Sequence, residues 1–79
     1  MPAKQHILKS AALRGQRKFD DAISEIENNR SSFDDISLLP ALLQAFYAAH
    51  EAGDKQAAQI YAEQIKTIEP DVPSIQSYL

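Results

Sequence analysis

Seventy-nine residues without a cysteine exclude a disulfide-stapled scaffold, a thiolate metal site and more than one small domain. A chain of this size buries only about 60–65% of the surface its unfolded form exposes, so helix packing, self-association or a partner must supply stability. The net charge of −3 is unevenly spread: residues 1–19 carry Lys4, Lys9, Arg14, Arg17 and Lys18 and no acid, residues 20–36 sum to −5, and the rest to −3.

In chain order, the first helix is expected from about Ala3 to Arg14, with Ile7, Ala11 and Arg14 on one stripe and Leu8 and Ala12 beside it. Gly15 suits the left-handed position that ends a helix, and Arg14, Arg17 and Lys18 suit its negative dipole end. The second helix, about Lys18 to Asn29, places Phe19, Ala22, Ile23 and Ile26 at helical spacing opposite Asp20, Asp21, Ser24, Glu25 and Glu27. Asn28 to Ser32 forms a turn cluster, and Asp34, Asp35 or Ser37 can cap the next helix.

That third helix runs to about Ala52. Its stretch from Leu38 to Ala49 is apolar or aromatic apart from Gln44 and the helix-starting Pro40. A helix apolar on nearly all sides needs neighbours on nearly all sides, or it leaves a patch for another molecule. Gly53 ends it and Asp54 offers an N-cap to a fourth helix, about Lys55 to Ile68, with Ala58, Tyr61, Ala62, Ile65 and Ile68 at helical spacing. Pro70 halts that helix. Asp71-Val72-Pro73 starts a short fifth one with Val72, Ile75 and Leu79 on one face. The fold expected is all-α: two antiparallel helix pairs and a C-terminal cap in one domain.

Matching Ala22 to Ala58 gives a period of 36 residues, near that of helical-pair repeats, whereas Gly15 to Gly53 gives 38; the register of the first helix is open over those two positions. The second pair resembles a tetratricopeptide repeat (TPR). Leu42, Ala45, Phe46 and Ala49 fall on the slots of that family's first helix, Gly53-Asp54 on its turn, and Ala58, Ala62 and Ile65 on its second helix. Pro70 falls on the closing proline. Phe46 departs from the family, which places a small residue there, while Ala49 and Ala62 stand where large aromatics are usual. The first pair keeps Ser10, Leu13, Ala22 and Ile26 but has Lys9 in an apolar slot. The repeats are then about 3–30 and 38–69, with a cap at 72–79.

The resemblance implies a protein-interaction module, a scaffold or adaptor that binds on the face made by each pair's first helix. Carried onto this sequence, that groove consists of Ile7, Ala11, Arg14, Leu43, Tyr47, His50 and Glu51. The family's carboxylate-clamping form needs lysine and asparagine where Ile7, Ala11, Leu43 and Tyr47 stand, so an amphipathic helix or a second copy is the expected occupant. Two repeats are fewer than the ~3 a stable stack normally needs, which predicts a homodimer with first helices or the Val72–Leu79 cap across the axis.

Nothing in the sequence asks for a cofactor or metal, and the chain reads as no enzyme. His6 and His50 stand outside any metal or nucleophile motif, and His50-Glu51 has Asp54 where a zinc-protease helix needs its second histidine. The basic first helix raises a nucleic-acid alternative, disfavoured because no aromatic sits among its charges to stack a base; the acidic residues 20–36 are the better partners for it. A second alternative is a small dedicated chaperone of a larger assembly, such as a secretion system. No apolar stretch reaches the ~18 residues of a membrane span, and the lysine-containing start is no signal core, so the expectation is cytoplasmic.

Overall fold

A computed structural model of the chain describes residues 2–79. Among them are four helices, α1 (Pro2–Gly15), α2 (Phe19–Glu27), α3 (Leu38–Glu51) and α4 (Lys55–Ile68), with 3₁₀ segments at Arg30–Ser32 and Pro73–Tyr78. The described residues contain no strand, so the all-α expectation of four helices and a short cap holds. Helix α1 packs on α2, α2 on α3 and α3 on α4; α1 also reaches α3, and the terminal 3₁₀ segment lies on α4.

The apolar character of α3 follows from its central place. Ala41, Leu42, Ala45, Phe46, Ala48 and Ala49 are all buried, because α1, α2 and α4 cover it from three sides. Alanines on the facing helices, Ala45 and Ala49 of α3 with Ala58 and Ala62 of α4, leave room for one large ring. Phe46 is that ring, 1% exposed, at 5.5 Å from Tyr78 and 5.7 Å from Tyr47 between ring centres. Ile26 of α2 and Ile75 of the cap complete the cluster, whereas α1 brings no fully buried apolar side chain to it.

The two pairs close with the same hydrogen bonds. In the first, Arg17 N–H donates to Arg14 O and Lys18 N–H to Leu13 O; in the second, Gly53 N–H donates to His50 O and Asp54 N–H to Ala49 O. Both are the paired closure in which the residue after the helix turns left-handed. That residue is Gly53, with φ 78°, in the second pair and Arg17, with φ 63°, in the first. The expectation for Gly15 is corrected: it stays within α1, and the left-handed turn comes two residues later. The helix-pair period is therefore 36, which aligns Ser10 with Phe46 and Arg14 with His50.

Other boundaries are corrected by local physics. Helix α2 starts at Phe19 and stops at Glu27, ahead of the expected Asn29, and Asn29 turns its side-chain amide back to Glu25 O at 2.8 Å. The cap is a 3₁₀ segment, not an α-helix, so its inward residues repeat every three: Ile75 is buried and Val72 and Tyr78 half-buried, while Leu79, expected inward, is 47% exposed. Ile68 at the last turn of α4, also expected inward, is exposed. Of the three candidate caps for α3, Ser37 takes the N-cap position but makes no side-chain cap bond, and Asp34 instead closes the turn just before the helix. Its Oδ1 accepts from Ile36 N–H (3.0 Å) and Ser37 N–H (2.9 Å), while Ser37 Oγ accepts from Asp34 N–H (2.8 Å). This reciprocal box holds the Asp34 carboxyl below the usual aspartate range. Asp54 caps α4 as expected, accepting from Ala57 N–H at 3.1 Å.

Candidate functional site

The seven expected groove residues lie on α1 and α3, and they meet four different fates. Arg14, Tyr47 and Glu51 come together: the Arg14 guanidinium lies 5.0 Å from the Tyr47 ring centre, and its Nε is 3.9 Å from Glu51 Oε1. This draws α1 onto α3 near their C-terminal ends. His50 takes no part in it. Its ring stacks at 6.0 Å on Phe46, and its Nδ1 shares a 2.7 Å hydrogen bond with the Tyr78 hydroxyl. Leu43 is half-buried against the core, and Ala11 is half-buried on α1. Ile7 packs on the core and also opens onto a cavity at the other end of the two helices.

That cavity, about 490 Å³, has two walls. Ala3, Lys4, Ile7 and Leu8 of α1 form one, and Asp34, Ile36, Ser37 and Pro40 form the other. Its rim holds the two most exposed large apolar side chains among the described residues, Leu8 at 59% and Ile36 at 86%. Sequence periodicity found Ile7 but missed this site, because Ile36 precedes the regular part of α3 and has no helical stripe to belong to. The available signal was the residue itself: a bare isoleucine between Asp34-Asp35 and Ser37, in a segment otherwise built for capping.

Polar side chains of α1 and of the turn after it are engaged within the chain. His6 Nδ1 donates to Glu25 Oε2 at 2.6 Å, Lys9 Nζ is 3.5 Å from Glu25 Oε1, and in the turn the Arg17 guanidinium lies 5.5 Å from the Phe19 ring centre. The hydrogen bond from His6 holds the Glu25 carboxyl below the usual glutamate range, against the opposing effect of its desolvation. Lys9 stands 36 residues before the buried Ala45, yet it is exposed. The pairs are joined at their far ends by Tyr61, whose hydroxyl donates to Glu27 Oε2, and by Arg30, whose guanidinium donates to Gln64 Oε1. Burial and the Glu27 carboxylate both push the Tyr61 hydroxyl far above the usual tyrosine range.

Among the described residues no group of three or more histidine, aspartate or glutamate side chains is placed to hold a metal, and no helix is long and apolar enough to cross a membrane. Comparison with protein families, with curated proteins and with solved structures finds no match for this chain.

Proposed function

We propose that this domain is a protein-interaction module, a TPR-like scaffold or adaptor, which holds another protein surface on the face made by α1 and α3. The observation that carries this reading is the open apolar cavity between those helices, with Leu8 and Ile36 exposed at its rim. Large exposed side chains that cluster beside a cavity mark interaction surfaces far more often than scattered ones do. The order of packing supports the same reading, since α1 and α3, the first helices of the two pairs, lie side by side as the resemblance requires. The period of 36 residues, one of the two that the sequence left open, supports it further. Within that face the centre of binding moves from the Tyr47 region toward Ile7 and Leu8, because Arg14 already covers Tyr47.

A photo-crosslinking amino acid placed at Leu8, and for comparison at the exposed Lys66 of α4, tests the proposal in the protein's native cells. Protein adducts from position 8 and few from position 66 are expected. Equal capture at both positions, or none at position 8, would contradict the assignment of this face.

A further inference from the structure

The cavity wall that carries Ile36 is pre-organised. Ile36 N–H is fixed by Asp34 Oδ1 at 3.0 Å, and Ser37 Oγ also donates to that oxygen at 3.0 Å while accepting from Asp34 N–H. An isoleucine held outward on a fixed turn gives up little backbone freedom on association, which favours it as an anchor. The charges are sorted by wall. Lys4 lies on the α1 wall and Asp34 on the turn wall, and the exposed Asp35 follows Asp34 in the same turn. Among the described residues neither Lys4 nor Asp35 has an ion-pair partner.

An apolar centre flanked by a cation on one side and carboxylates on the other is its own complement under two-fold rotation. A uniformly basic or uniformly acidic helix would match only one flank and oppose the other. We infer that a second copy of this chain closes the cavity, in a symmetric dimer where Leu8 and Ile36 pack against the same patch of the partner and Lys4 faces the partner's Asp35. This rests on the interaction-module reading and names its occupant. Each protomer thereby covers the other's exposed isoleucine, and the basic start of α1 meets the acidic turn across the axis.

The test exchanges charges at the two exposed positions, where the fold is least affected. The full chain carrying Lys4→Glu presents only carboxylates on both flanks, and Asp35→Lys weakens the acidic flank. Each variant alone is expected to dimerise at least about tenfold more weakly than the natural chain, measured by native mass spectrometry or by energy transfer between labelled chains. An equimolar mixture of the two restores both contacts and is expected to recover most of the affinity as a mixed dimer. Circular dichroism checks that both variants remain helical; a variant that loses its helices is replaced by Lys4→Gln or Asp35→Asn, for which partial weakening is expected. A natural chain that stays monomeric up to millimolar concentration overturns the inference. So do variants that dimerise like the natural chain, or a mixture no tighter than either variant alone. If the chain is monomeric while position 8 still captures a different protein in cells, the second copy is wrong and the interaction module stands.

Discussion

From Leu13 to Lys18 in the first helix pair, and from Ala49 to Asp54 in the second, the backbone follows one path with different residues on it. The second pair has Gly53 at the left-handed position and Asp54 capping α4. The first has Arg17 in that strained position, and Lys18 ahead of α2 with no side-chain cap. Their interiors differ in the same sense. Ser10 and Phe46 occupy equivalent places, but Ser10 is a small buried hydroxyl that donates to Ala22 O at 2.8 Å, whereas Phe46 is the largest fully buried side chain among the described residues. The second pair is held by apolar packing; the first leans on polar contacts and leaves its apolar residues Leu8 and Ile7 near the surface. The lesson is a division of labour: an apolar half that carries most of the core, and a lighter half whose apolar residues Ile7 and Leu8 line an open cavity.

The largest expected effect breaks the apolar half. Phe46→Ala removes the ring around which the alanines of α3 and α4 pack, and should cost about 3–5 kcal/mol in urea unfolding; a loss under about 1 kcal/mol would show that the core does not depend on it. The next effect sharpens the comparison by erasing it. Transplanting the Gly-Asp turn into the first pair, as Arg17→Gly with Lys18→Asp, relieves the left-handed arginine and adds a cap to α2. It should raise stability by about 1–2 kcal/mol, net of the lost contact between Arg17 and Phe19. A destabilised double variant would mean that the first turn draws more from its arginine than from its geometry.

Smaller is Ser10→Ala, which deletes the hydrogen bond to Ala22 O between α1 and α2 and should cost about 1 kcal/mol by the same measurement. Smallest is an acid effect at Glu25. Its folded-state pKa is depressed, so its contribution is complete above the unfolded glutamate value of about 4.3 and is lost as pH falls through the lower folded value. Glu25→Gln should therefore lower stability slightly at pH 6 and flatten the decline below pH ~4; an unchanged acid limb would show that the His6–Lys9–Glu25 cluster contributes nothing to joining α1 to α2.

The second pair was legible because its signals agree: a glycine where the turn is left-handed, an aspartate where the helix needs a cap, and apolar residues at helical spacing. In the first pair the glycine was misleading. Gly15 lies two residues before the position that needed one, and Arg17 adopts the strained conformation because the hydrogen bonds of the closure and the packing of α1 on α2 outweigh its cost. The seven-residue groove was legible only as a face. The sequence places Arg14 and Tyr47 on facing helices, but it does not show that the guanidinium would lie over the ring. Nor does helical periodicity reach Ile36, which belongs to a capping turn and becomes part of a surface only when α1 folds beside it.

The most direct measurement is the solution mass of the unmodified chain by light scattering over a concentration series. A mass approaching twice 8.8 kDa is expected at high concentration, returning to the single-chain value on dilution. A mass of 8.8 kDa at every concentration would contradict it and leave the Leu8–Ile36 surface to a different protein.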